Sequence, residues 1–159
     1  MVGSSLAYRG EQPFNRDPLM NEPDYACAVL RNAAGDFVLQ LRPASARLAA
    51  DQLTCFGGRR EAGETAAACL IRELHEELGW NINSLPPPCA FLRAGPRLIA
   101  SFYTLFLPAA LAVRTEPGFS VVYAPPASLP GLPLSPWHRL VIEALLTAPE
   151  LPITLDVPG

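Results

Sequence analysis

Apolar positions in this chain fall into short runs divided by turn residues, and two stretches carry a helical period. Leu98 to Leu107, LIASFYTLFL, is apolar on both alternating faces, which predicts a central strand covered on both sides. Tyr25 to Arg31 and Phe37 to Leu41 read as strands, and the NAAGD between them predicts a hairpin. Arg42 to Asp51 is a polar, Ala-rich connection. Leu53 to Phe56 is a short apolar run leading into Gly57 and Gly58, and Val121 to Ala124 is another short strand. Pro86, Pro87 and Pro88 exclude a helix and mark a loop.

The first helical stretch places Ala67, Ile71, Leu74 and Leu78 on one stripe about 60° wide. Thr65 is the expected N-cap and Gly79 the expected stop. The second begins at Ser135-Pro136, an N-cap followed by a first-turn proline, and Trp137, Leu140, Val141, Ala144 and Leu145 trace its apolar face. Strands with one helix in mid-chain and another near the end predict an α/β (α+β) fold, a mixed sheet between helices. Residues 1–23 read as an irregular N-terminal arm, 24–148 as one domain, and 149–159 as a loose C-terminal tail.

Charge changes the picture at the first helix. Glu73, Glu76 and Glu77 stand at i, i+3 and i+4 and share a face, which the helical wheel sets about 135° from the apolar stripe. Like charges so close repel, and crowding raises at least one carboxylate pKa. A solvated acidic face is the usual reading of a charge run. A hard divalent cation is the alternative, since Mg²⁺ takes oxygen ligands and sits between carboxylates and substrate phosphates.

Composition narrows the classes. A net charge of −3 and a pI near 5.3 argue against a nucleic-acid polymer as partner. Cys27, Cys55, Cys69 and Cys89 lack CxxC spacing, and with only His75 and His138 a zinc site is not indicated. The cysteines read as buried apolar residues in a reducing compartment. No apolar run approaches a membrane span, and the N-terminus lacks signal-peptide regions, so a cytoplasmic protein is expected.

Gly58 to Trp80, GRREAGETAAACLIRELHEELGW, fits Gly-x5-Glu-x7-Arg-Glu-Leu-x-Glu-Glu-x-Gly-x. The fixed residues are Gly58, Glu64, Arg72, Glu73, Leu74, Glu76, Glu77 and Gly79. At roughly one in 15 per identity, even seven of these eight would arise by chance on the order of once in a million chains of this length. The stretch resembles the signature of the Nudix hydrolase family. It departs at the last position, usually aliphatic and here Trp80, which bears on packing and not on metal binding.

The resemblance implies an α/β/α sandwich and Mg²⁺- or Mn²⁺-dependent hydrolysis of a nucleoside diphosphate linked to another group. It implies Glu76 and Glu77 as metal ligands, Glu73 as a third ligand or the general base, and the Gly57 carbonyl as a further ligand. Arg72 would orient the carboxylates, and Glu64 would support Arg72 or the loop, with Gly58 and Gly79 as structural supports. Some members recruit another acid from a loop after the central strand. Glu116 is the candidate here, as the one acid between Gly79 and Glu143. Arg59 and Arg60 are candidates for holding phosphates.

The substrate stays open. ADP-ribose-hydrolysing members carry a proline about sixteen residues past the motif, a spacing Pro96 has. Phe91, Phe102, Tyr103, Phe119 and Tyr123 are candidates for stacking on a base, or core. An oxidised nucleoside triphosphate is the alternative substrate, and a nucleotide-binding sensor the alternative class. A sensor often loses the acids retained here. An isomerase would need a catalytic cysteine that no local context identifies. A homodimer accords with the family, but no local feature specifies an interface.

Overall fold

The computed structural model describes residues 21–159. In chain order these form strands β1 (Tyr25–Arg31), β2 (Phe37–Leu41), β3 (Leu53–Thr54) and β4 (Phe56–Arg59), helix α1 (Ala66–Leu78), strands β5 (Ala90–Ala94), β6 (Arg97–Phe106) and β7 (Ser120–Ala124), helix α2 (Pro136–Thr147) and strand β8 (Ile153–Asp156). A 3₁₀ turn, Pro126–Gly131, precedes α2. The sheet is mixed, in the order β3-β2-β1-β6-β5-β8, with β4 also on β1 and β7 also on β2. β6 is central as expected, parallel to β1 and antiparallel to β5.

The two sheet faces carry separate cores. Ala26, Ala28 and Leu30 of β1 pack with Leu70, Leu74 and Leu78 of α1. Cys27 and Val29, alternating with them, pack with Val141 and Ile142 of α2. Trp80 joins the α1-side core, as a packing residue at that position should. The four cysteines are free thiols and buried. Among the described residues no helix is long and apolar enough to cross a membrane. The N-terminal arm lies mostly outside the described residues.

Both ends of α1 follow the sequence. The Thr65 side chain accepts from the Ala68 N–H, and Gly79, in the left-handed region, ends α1 with its N–H on the His75 carbonyl. Glu22 adds a cap that spacing did not reveal, its Oε2 accepting from Ala66 N–H at 2.7 Å. At α2, Ser135 makes no side-chain capping bond.

Three expectations need correction. The packed face of α1 is Ala66, Cys69, Leu70, Leu74, Glu77 and Leu78, with Ala67 and Ile71 at its margin. Glu77 therefore lies within the buried face and not about 135° from it. In α2 the buried pair is Val141 and Ile142, while Trp137 and Leu140 stay exposed. The tail is not loose, because β8 pairs in parallel with β5, from Ala90↔Ile153 to Arg93↔Asp156. Its alternation turns Ile153 and Leu155 to the core.

Candidate active site

β4 is the wall on which the site is built. Cys27↔Gly57 and Ala26↔Gly58 are partners in the β1–β4 ladder, and α1 packs against the same strand. A Cβ on Gly57 would overlap the Ala26 carbonyl oxygen, and a Cβ on Gly58 would overlap the Glu73 carboxylate. Glycine at both positions lets the helix carboxylates reach the backbone of the strand.

Glu77 is 6% exposed, and its Oε1 accepts from Gly57 N–H at 2.8 Å. Burial pushes its pKa up to about 8, against the lowering effect of that N–H, and the Glu73 charge raises it further. Burial also raises the Glu73 pKa, opposed by the Arg72 guanidinium. Glu116 is exposed on its loop, yet its charge reaches both Glu73 and Glu77.

Arg72 is the organiser. Its Nε and Nη2 donate to the two oxygens of Glu64 at 2.6 and 3.0 Å, and its Nη1 to Glu73 and Glu76 at 2.9 and 3.3 Å. Nη2 also reaches the Arg59 carbonyl at 3.2 Å. This two-pronged pair holds the Glu64 carboxyl at about 2, and Glu64 raises the Arg72 pKa in turn. Glu64 also accepts from Glu61 N–H at 2.8 Å, so it supports both the arginine and the loop.

The donor set suits a hard divalent cation. It offers carboxylate oxygens on adjacent helix turns and leaves room at Gly58 for one of them. Among the described residues, no three His, Cys, Asp or Glu side chains converge as a ready cluster. Arg72 supplies the counter-charge that Glu73 and Glu76 share.

On the other side of Gly57 and Gly58 lies a cavity of about 650 Å³. Arg42, Arg47 and Arg59 line it, and among the described residues no carboxylate does. Phe102 is the one expected stacking residue found there, with Tyr25, Trp137 and His138 beside it. Tyr103 is instead in the α1-side core, Phe119 lies under the Arg42 guanidinium, Phe91 is half-buried on β5, and Tyr123 is exposed. Pro96 sits exposed at the β5–β6 turn, outside this cavity. Arg60 is outside it too, and donates to the carbonyls of Pro23 and Glu64 at 2.8 and 2.9 Å.

Sequence reasoning placed Trp137 in the core and gave His138 no role. An aromatic and an imidazole next to a helix-start Ser-Pro were the available signal. His138 Nδ1 accepts from Cys55 N–H at 2.8 Å, and its ring meets the Phe102 ring edge-on. That bond requires the ring to be neutral, with its proton on Nε2. Burial, aided by the Arg42 charge, lowers the His138 pKa from 6.5 to about 4. In the unfolded chain the ring gains a proton near 6.5, whereas in the folded chain it does so only near 4. Stability is therefore lost as pH falls through that window, by up to about 3 kcal/mol from this group. Urea denaturation at pH 7.5 and 4.5 should show a smaller loss in His138→Asn, which keeps an acceptor for Cys55 N–H. An equal loss in both proteins would contradict this account of His138.

Known proteins share this fold. Residues 21–145 match a family model described as NUDIX domain. A MutT protein from Methanosarcina mazei Go1 superposes with a TM-score of 0.66 at 19% identity, over 79% of this chain and 95% of that one. DR0079 from Deinococcus radiodurans gives 0.61 at 23% identity, over 81% and 88%. The NUDIX domain of Shewanella oneidensis NrtR, complexed with ADP ribose, gives 0.59 at 19% identity, over 81% and 90%. At these identities the likeness is one of fold. No curated protein matches the chain in sequence.

Proposed function

The chain belongs to the NUDIX domain family, and on that premise we propose that it hydrolyses the diphosphate linkage of a nucleoside diphosphate derivative. The products would be a nucleoside monophosphate and a second phosphorylated fragment. Members of the family are hydrolases of pyrophosphate bonds that generally use divalent cations. The observation that carries the reading is the position of Gly57 and Gly58. They stand between an acidic helix face and a cavity that, among the described residues, has three arginines, aromatic walls and no carboxylate. The NrtR domain that holds ADP ribose, a nucleoside diphosphate derivative, adds support from fold alone.

Each group then has a task. Glu76, Glu77, Glu73 and the Gly57 carbonyl would hold Mg²⁺ or Mn²⁺, which when bound neutralises diphosphate charge and activates water. Arg72 keeps Glu73 and Glu76 in register from one guanidinium. Glu73, half-buried and with a raised pKa, is also suited to take a proton from the attacking water. Glu116 is a second acid whose charge already reaches the cluster. Arg59, and Arg42 and Arg47 beyond it, would receive phosphate oxygens. Positioning and electrostatics are the main demands of phosphoryl transfer, and these residues meet both.

Trp137, 43% exposed where it lines the cavity, would stack on the base or its linked group. Stacking of this kind contributes about 1–3 kcal/mol, so Trp137→Ala should raise KM about tenfold with kcat little changed. An unchanged KM would remove Trp137 from the substrate site.

The test of the reading is turnover of nucleoside diphosphate derivatives and of ordinary and oxidised triphosphates, with Mg²⁺ and with Mn²⁺. Metal-dependent release of nucleoside monophosphate from a diphosphate derivative is the expected result. A clear preference for a triphosphate would replace the substrate class. Tight nucleotide binding without turnover would replace the enzyme with a sensor.

A further inference from the structure

His138 has two ring nitrogens, and the fold uses one of them. Nδ1 accepts from Cys55 N–H at 2.8 Å, so the ring proton is on Nε2. The edge-on contact with Phe102, centroids 5.7 Å apart, sets the plane of the ring. Among the described residues Nε2 donates to no protein group, yet the buried polar atoms without a partner are Arg31 Nε and Thr54 Oγ1. Nε2–H is therefore open, on the cavity that His138 lines. A ring held for structure alone needs only its Nδ1 acceptor, which the oxygen of an asparagine supplies as well.

The group on offer donates and cannot accept. It is uncharged at neutral pH, since burial and the Arg42 charge lower the ring pKa to about 4. Phosphate oxygens have three guanidiniums in the same cavity, stronger partners for an anion than a neutral N–H. Ribose hydroxyls are alike in every ribonucleotide. The base is what remains for His138 to read. Trp137, the preceding residue on the first turn of α2, lines the same cavity and offers a surface for the base to lie on. Base edges differ in sign, because guanine and uracil carry a keto oxygen where adenine and cytosine carry an amino group. A fixed donor pairs with the oxygen, whereas against an amino group two donors oppose each other and one goes unpaired.

We propose that His138 determines base specificity, donating its Nε2–H to a keto oxygen, so that the cavity prefers guanine and uracil nucleotides to adenine and cytosine nucleotides. This rests on the reading of the cavity as the nucleotide site, and it names the class of base. It departs from the adenine base of the ligand in the NrtR domain, which is alike in fold alone.

The experiment is calorimetric titration of the full chain in EDTA with GMP, UMP, AMP and CMP. It compares wild type with His138→Asn, which keeps an acceptor for Cys55 N–H and removes the donor, and His138→Gln, which keeps a donor near Nε2 and gives up the acceptor. Wild type should bind GMP about tenfold more tightly than AMP, and UMP about tenfold more tightly than CMP. His138→Asn should bring both ratios to within about twofold of one, and His138→Gln should keep a preference of about threefold or more. A His138 retained for structure alone gives the reverse order, with Asn like wild type and Gln impaired. Wild-type ratios near one or inverted overturn the proposal, as do undiminished ratios in His138→Asn. Should His138→Asn fail to fold, ratios lost in His138→Gln overturn it. Binding of none of the four by wild type also overturns it. Metal-dependent turnover without base preference overturns this proposal and leaves the hydrolase reading, whereas keto preference without turnover upholds it and overturns that reading.

Discussion

Glu77→Gln should lose turnover by about 1,000-fold, on the order of 4 kcal/mol of transition-state stabilisation, while the protein in EDTA melts no lower than wild type. The substituted side chain has the same shape and keeps an oxygen for Gly57 N–H. It removes a carboxyl whose ionised form is disfavoured where it lies, 6% exposed and facing the charges of Glu73 and Glu116. A charge so placed opposes folding unless a cation or donors offset it. A residue retained for structure alone would show the reverse, with stability falling and activity following it. Steady-state rates at saturating Mg²⁺, beside thermal melts in EDTA, separate the two. Activity within tenfold of wild type would remove Glu77 from the reaction.

Gly57→Ala should destabilise the fold by about 3–5 kcal/mol, because two costs coincide. The residue has φ near 135°, a region that side chains avoid. The added Cβ would also overlap the carbonyl oxygen of Ala26 on the neighbouring strand, where backbone cannot yield without opening the ladder. For a domain of this size the melting temperature should fall by about 10 °C or more. Gly131→Ala is the control, since a Cβ there meets nothing within 4 Å. Melting temperatures of Gly57→Ala and Gly131→Ala within about 2 °C of each other would contradict the account of the wall.

The elements that could be read from the chain are those in which local signals agree. β1 and β2 have their expected ends because alternation and the NAAGD turn point the same way. α1 ends where Thr65 and Gly79 predict. That Glu64 would support Arg72 or the loop came from the family resemblance, and the structure gives it hydrogen bonds to both. The packed face of α1 was not legible. A wheel scores Glu77 as polar, and only a backbone N–H contributed by β4 lets it lie among Cys69, Leu70 and Leu74. α2 has the same ambiguity. Val141 and Ile142 are adjacent, so two apolar faces fit the pattern, and the one chosen leaves Trp137 at the cavity. β8 alternates clearly, but Pro149 and Pro152 mask it, and its pairing with β5 is a long-range contact.

Glu76 gives the most direct test of the central claim, because its side chain is about half exposed and removing its charge need not disturb the core. The measurement is nucleoside monophosphate release from the preferred diphosphate derivative by wild type and Glu76→Gln, each with Mg²⁺ and with EDTA. The account predicts turnover by wild type with metal, none with EDTA, and a loss of about 100-fold or more in the variant. Equal turnover by both proteins, or turnover that EDTA leaves unchanged, would contradict it.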